Sequence, residues 1–209
     1  GGFVTVISMG PPPADRILKE CMSLGADRGI LLSDRAFAGA DAFATAFTLA
    51  RGIEKAGAFD LILCGRASSD GATEWVGPEI AALLNLPVVT MVREFESQEK
   101  DLWRVRADWQ DGYRRVEVLL PALFTVTRDL NRPRALSFSG ILKARKKTVE
   151  QWDLSALGVP ENSVGAKGSP TIVSEITAVD SRRNVQILEG TPQEKAEQFI
   201  TRLEELGVL

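Results

Sequence analysis

The stretch Gly65-Arg66-Ala67-Ser68-Ser69-Asp70-Gly71-Ala72-Thr73-Glu74-Trp75-Val76-Gly77-Pro78 decides how this chain is read. It follows Phe59-Asp60-Leu61-Ile62-Leu63-Cys64, a short apolar run that predicts a buried strand over 60–64. It leads into Glu79-Ile80-Ala81-Ala82-Leu83-Leu84, made of good helix formers, so a helix over 74–85 is predicted. A strand, a small polar loop and a helix start make an anion seat, because the free N–H groups of the first helical turn and the helix dipole both favour a phosphate. The plainer alternative is an ordinary β-α turn built of small residues for tightness, with Arg66 a surface arginine.

Outward from this loop, strands and helices alternate. Phe3 to Ser8 is β-branched and apolar and reads as a strand, stopped by Met9-Gly10-Pro11-Pro12-Pro13. Residues 14–24 place Ile17, Leu18, Cys21 and Leu24 at helical spacing before Gly25. Gly29 to Ser33 is the next strand. Residues 41–56 form a helix with Phe43, Phe47, Ala50 and Ile53 inward and Asp41 at its start, and Val88 to Val92 is a fourth strand. This order predicts an α/β fold, a parallel sheet with right-handed crossovers and helices on both faces. The strand ends at Met9, Ser33 and Cys64 are expected along one edge, where open α/β sheets bind ligands.

After residue 95 the pattern becomes a hairpin. Leu102 to Trp109 alternates with period two, Asp111-Gly112 is a turn signal, and Val116, Val118 and Leu120 alternate on the return. Leu119 to Val126 reads as a buried strand. From Thr127 the apolar periodicity fades. Lys143-Ala144-Arg145-Lys146-Lys147 is a basic cluster, and residues 155–190 are rich in Gly, Pro, Ser and Asn, with one strand-like piece, Pro170 to Ser174. Thr191-Pro192-Gln193-Glu194 is a capping box opening a helix with Ala196, Phe199, Ile200 and Leu203 on one face. The expected organisation is therefore an α/β domain over 1–127 and an extended C-terminal arm over 128–209. The arm either wraps another chain or folds back on its own domain.

Composition narrows the chemistry by exclusion. The chain has no histidine, which removes an imidazole base, a Ser–His or Cys–His nucleophile pair and His metal ligands. Two scattered cysteines, Cys21 and Cys64, cannot make a structural zinc site and read as free thiols of a reducing cytoplasm. A net charge of −3 gives no global field for nucleic acid, and no apolar run suits membrane insertion. No signal peptide is visible, so a cytoplasmic location is expected. A subunit that carries a cofactor doing its own chemistry, an electron carrier rather than an enzyme alone, fits better than acid–base catalysis. A nucleotide hydrolase would need phosphate-side machinery, and no Gly-Lys-Ser/Thr P-loop is present.

Motifs in order along residues 3–152 resemble the beta subunit of electron-transfer flavoproteins. They are Val4 to Pro12, Gly25-Ala26-Asp27-Arg28-Gly29, Leu32 to Asp41, the opening loop, Leu130-Asn131-Arg132-Pro133-Arg134 and Ile141 to Lys147. The resemblance implies a Rossmann-like fold. It implies a heterodimer with an alpha subunit that holds FAD, and AMP or a second FAD in the beta subunit. It also implies electron exchange with a flavin dehydrogenase such as an acyl-CoA dehydrogenase, or with NADH. The Gly-Pro-Pro turn and Ala36 to Asp41 look closer to the electron-bifurcating branch, and the resemblance implies a further N-terminal strand and loop, before the point where this chain begins, that contribute to the nucleotide pocket.

Carried over by the resemblance, the cofactor-binding positions are Met9, Gly10, Ala40, Asp41, Gly65, Arg66, Ser68, Ser69, Asp70, Gly71, Thr73, Trp75 and Val76. The dehydrogenase-docking segment falls on about Arg128 to Thr148, with Phe138, Ile141 and Lys143 as contact candidates. Where the family loop has a second Asp and a second Gln, this chain has Ala72 and Trp75, and Ala42 stands for the Thr after Asp41. Trp75 could stack on a flavin or adenine ring, or fill the pocket and leave a non-catalytic assembly subunit. Glu74 adds negative charge beside the phosphate seat.

Overall fold

The computed structural model describes residues 2–177 and 185–208. A first compact unit runs to Ile172, and a second comprises Val173–Leu209. The division expected at residue 127 falls inside the first unit. Within it, β1 (Thr5–Met9), α1 (Asp15–Ser23), β2 (Arg28–Leu32), α2 (Ala42–Ala56), β3 (Leu61–Gly65) and α3 (Val76–Leu83) alternate as the sequence predicts. Then come β4 (Val88–Glu99), β5 (Leu102–Trp109), β6 (Gly112–Leu119) and β7 (Ala122–Val126), followed by α4 (Phe138–Arg145) and β8 (Glu150–Trp152). Two short helices, α5 (Leu154–Leu157) and α6 (Gly165–Gly168), end the unit's regular structure.

The strands form two sheets. One is parallel, in the order β1-β2-β8; the other is mixed, in the order β3-β7-β4-β5-β6. In the parallel sheet Ile7 lies opposite Ile30, and Leu31 opposite Gln151. In the mixed sheet β3 and β4 flank β7 in parallel, with Leu63 opposite Phe124 and Val89 opposite the same residue, and β4-β5-β6 is the antiparallel meander announced by the Asp111-Gly112 turn.

Helix α2 packs against both sheets. Its Ala44, Ala46 and Ala50 are fully buried, and Ile53 closes a cluster that takes in Ile7 of β1, Ile62 of β3 and Leu123 of β7. Small residues let it approach closely: a Cβ on Gly52 would meet Leu32 Cδ1 at 2.7 Å. The mixed sheet has its own core, in which Phe95 and Trp103 meet edge to face at 5.2 Å beside Phe124.

Several expectations are corrected. Leu63 is 53% exposed, so β3 is a half-exposed edge strand rather than a buried one. The reason is its position at the end of the mixed sheet, with no strand on its other side among the described residues. Phe43 and Ile17 face outward, and Ala46 and Met22 do the packing expected of them. The strand-like Pro170 to Ser174 is irregular. Conversely, Glu150–Trp152, three residues too few to show periodicity, pairs with β2 as a real strand.

In the second unit the capping box forms as written. Thr191 Oγ1 accepts from the Glu194 N–H, Glu194 reaches back to the Thr191 N–H at 2.7 Å, and α7 (Pro192–Glu205) follows. Residues 178–184 of the loop-rich stretch expected over 155–190 lie outside the described residues.

Candidate functional site

The free edges of β1 and β3 border one cavity of about 1190 Å³. Its apolar wall comes from Ile7, Met9, Phe43 and Leu63, and its polar side from the loop after β3. A cleft of that kind is the common form of a cofactor site, apolar with a few convergent polar groups. Met9 and Cys64 reach it as strand ends. Ser33 is not among its lining residues, because β2 is the central strand of its sheet and the Ser33 N–H is spent on Trp152 O at 2.9 Å.

Of the positions singled out in the sequence, Met9, Ala40, Asp41, Gly65 and Arg66 line the cavity. So do Ser68, Asp70, Gly71, Thr73, Trp75 and Val76. Gly10 and Ser69 do not: the Gly10 N–H donates to Leu32 O at 3.0 Å and ends β1, and Ser69 is an exposed loop residue. The lining also includes Glu79 and Thr171, which sequence reasoning missed. Glu79 stands one helical turn beyond Trp75, a spacing that could have indicated it; nothing in the sequence announces Thr171, which is 130 residues from its partner.

That partner is Asp41. Its carboxylate caps α2 by accepting from the Ala44 N–H at 3.0 Å, and it also accepts from the Thr171 N–H at 3.0 Å and the Thr171 hydroxyl at 2.8 Å. The Asp41 N–H donates to Ser169 Oγ at 2.8 Å. Burial alone would raise the Asp41 pKa, but these hydrogen bonds outweigh it and hold the carboxyl below its ordinary range. Asp41 is thus both a helix cap and a cavity residue. Glu79, in the first turn of α3, is pushed the other way, by burial and by the nearby Asp41 charge, and its Oε2 is buried without a partner.

The loop itself is tightly turned. The Arg66 N–H donates to Val126 O at 3.1 Å, which fixes the loop's start to β7. Asp70 accepts from the Gly71 N–H at 2.8 Å, and the Ser68 hydroxyl helps to hold its carboxyl below the usual range. Ala72 and Glu74 take left-handed backbone angles, φ 46° and 61°, uncommon for residues with a Cβ. Arg66 Nε then donates to Glu74 Oε1 at 2.7 Å. Trp75 is 64% exposed at the rim, so its ring leaves the cavity unfilled. The first-turn N–H groups of Val76 and Gly77 have no intrahelical partner. Gly77 is buried, and a Cβ there would meet Thr125 Cγ2 at 2.6 Å, so this glycine sets how closely the α3 start approaches β7.

The family model for the electron transfer flavoprotein domain matches residues 1–157. The chain belongs to the electron-transfer flavoprotein family. It is 43% identical over 210 residues to the electron transfer flavoprotein subunit beta of Thermoanaerobacterium thermosaccharolyticum, covering 100% of this chain and 80% of that one. It is 41% identical over 205 residues to the subunit beta of Clostridium acetobutylicum, covering 98% and 78%. It is 39% identical over 210 residues to the caffeyl-CoA reductase-Etf complex subunit CarD of Acetobacterium woodii, covering 100% and 80%. As a beta subunit of such a flavoprotein, the chain serves electron transfer within a heterodimer.

The segment expected to dock a dehydrogenase is partly helical in this flavoprotein subunit. Phe138 opens α4, whose N-cap Ser137 accepts from the Gly140 N–H at 3.0 Å. Its side chain is 77% exposed. Lys143 is exposed on the same helix and Ile141 is half-buried. Lys147, by contrast, is spent internally, donating to Ala26 O at 2.9 Å and Asp27 O at 3.2 Å. No helix among the described residues is long and apolar enough to cross a membrane.

Proposed function

We propose that the cavity between β1 and β3 binds the adenine nucleotide of this subunit, AMP or FAD. The observation that supports this is the convergence of an apolar wall, the glycine-bearing loop 65–77 and the α3 N-terminus on one space large enough for a nucleotide. The phosphates would lie on the N–H groups of the first α3 turn and the loop hydroxyls of Ser68 and Thr73, with a ring against Ile7, Met9 and Leu63. A flavin bound there would supply the electron chemistry; the chain's residues bind it, orient it and keep water from it. Electrons would pass between a flavin dehydrogenase or NADH and an acceptor, with FAD in the alpha subunit as the other station.

Two surfaces would serve assembly. Phe138, projecting from α4 beside Leu142 and Lys143, is an exposed aromatic suited to anchor a dehydrogenase. The second unit, with Phe199 and Ile200 exposed on α7, would embrace the alpha subunit. The test of the nucleotide reading is extraction and quantification of nucleotides from the purified heterodimer. A second nucleotide beyond one FAD per heterodimer is expected. One FAD and nothing else would overturn it.

A further inference from the structure

The cavity's charges are unbalanced. Among its described lining residues Asp41, Asp70, Glu74 and Glu79 carry carboxyl groups, and Arg66 alone is basic. That one guanidinium is already engaged, its Nε 2.7 Å from Glu74 Oε1 across eight residues of loop. The left-handed turns at Ala72 and Glu74 fold the loop back so that the two side chains meet. The pair stands at the rim, with both side chains at least a third exposed, so it can open at little cost.

We propose that Glu74 is a charge gate on this site: by occupying Arg66 it withholds the one basic side chain among the cavity's described lining residues from a nucleotide phosphate and so sets the affinity for phosphate-bearing ligands. The inference rests on the nucleotide reading above. A guanidinium has five N–H donors, and the recorded contact uses one. An incoming phosphate can therefore take the others, but it then lies beside the Glu74 carboxylate. Either the phosphate accepts that repulsion or Glu74 swings away and leaves Arg66 to the ligand. In both cases binding is weaker than for the same cavity with a neutral side chain at residue 74, and a ligand with fewer phosphate charges is penalised less. The gate thus favours a nucleotide held mainly through its rings over one held through its phosphates.

Calorimetric titration of AMP into the nucleotide-stripped heterodimer, in wild type, E74Q, R66Q and the double variant, tests this. E74Q should bind AMP roughly fivefold tighter, the change expected on removing one partly screened charge. R66Q should bind more weakly than wild type. The double variant should gain clearly less over R66Q than E74Q gains over wild type, because Glu74 acts mainly through Arg66 and only the direct repulsion of the phosphate remains without it. Adenosine, which lacks the phosphate, should bind wild type and E74Q alike. Unchanged or weaker AMP binding by E74Q, or the same gain in the R66Q background, overturns the gate and leaves nucleotide binding intact. AMP binding by none of the four forms overturns the gate, and failure of FAD to bind there as a second nucleotide as well overturns the nucleotide reading with it.

Discussion

Arg28 grips Glu150 with both arms of its guanidinium, Nε to Oε1 at 2.6 Å and Nη2 to Oε2 at 2.9 Å. This joins β2 to β8 across 122 residues. The same guanidinium lies 5.6 Å from the centre of the Trp152 ring and donates to Ala56 O at 3.2 Å. The bidentate bond, with Arg28 also countering burial by its charge, keeps the Glu150 carboxyl below its ordinary range. A depressed carboxylate pKa contributes stability above its unfolded-state value and loses it as pH falls through the folded one. Glu150→Gln should therefore lower stability at neutral pH by about 1 kcal/mol, a figure reduced for the partial exposure of the pair. The difference from wild type should shrink in acid, as read by urea unfolding at pH 7 and pH 3.

Asp41 holds two separate parts of the unit, the start of α2 and the segment at Thr171. Asp41→Ala removes the cap and leaves the Thr171 N–H without its acceptor. A loss of about 1–2 kcal/mol is expected in denaturant unfolding. Asp41→Asn can still cap the helix and should recover most of it. Because hydrogen bonds depress the Asp41 pKa against burial, its contribution too fades as pH drops below the ordinary aspartate range.

Burial pushes the Cys64 thiol up to about 11. A thiol so protonated reacts slowly, since the thiolate is the nucleophile. Iodoacetamide labelling of Cys64 at pH 7.5, followed by peptide mass spectrometry, should be at least tenfold slower than that of a small free thiol. The rate should climb steadily toward pH 11, and because Cys64 lines the cavity, bound nucleotide should slow it further.

How much of this was legible in the chain depends on the range over which each signal acts. The β-α alternation, the hairpin at Asp111-Gly112 and the capping box at Thr191 are local patterns, and the backbone follows them. Which strands pair, β2 with β8 and β3 with β7, is a matter of contact between distant segments, and no period in the sequence reports it. β8 is three residues long and has its identity from Arg28 and the β2 edge, not from its own propensity. At the site, the loop's small residues and the helix start were readable, whereas the Asp41–Thr171 bonds and the Arg66–Glu74 pair depend on how the chain returns on itself. Glu74 could be read as a charge near the seat; that it faces Arg66 needed the turn geometry at Ala72 and Glu74.

Gly77 places the start of α3. With a Cβ only 2.6 Å from Thr125 Cγ2, Gly77→Ala must push the helix from β7 or displace Thr125, whose Oγ1 accepts from the Met91 N–H at 2.9 Å. A cost of about 1–3 kcal/mol is expected from such overpacking. Nucleotide retention by the heterodimer should fall as well, because the first-turn N–H groups move with the helix. Gly71→Ala, where the nearest atoms lie at 3.8 Å or more, should be close to neutral in stability.

Phe138 allows the proposed docking to be tested apart from folding. It is exposed at the first residue of α4, and its ring is absent from the core that α4 makes through Ala144 against Leu18, Met22 and Leu31. Phe138→Ala should therefore leave the melting temperature of the heterodimer within about a degree, as for surface substitutions generally. If Phe138 is the anchor for a dehydrogenase, the same change should raise the KM for the flavoprotein in dye-coupled dehydrogenase turnover by roughly tenfold or more, the scale of a lost hot-spot aromatic. Phe138→Leu should retain part of the contact and fall between. An unchanged KM together with an unchanged melting temperature would remove Phe138 from the docking surface.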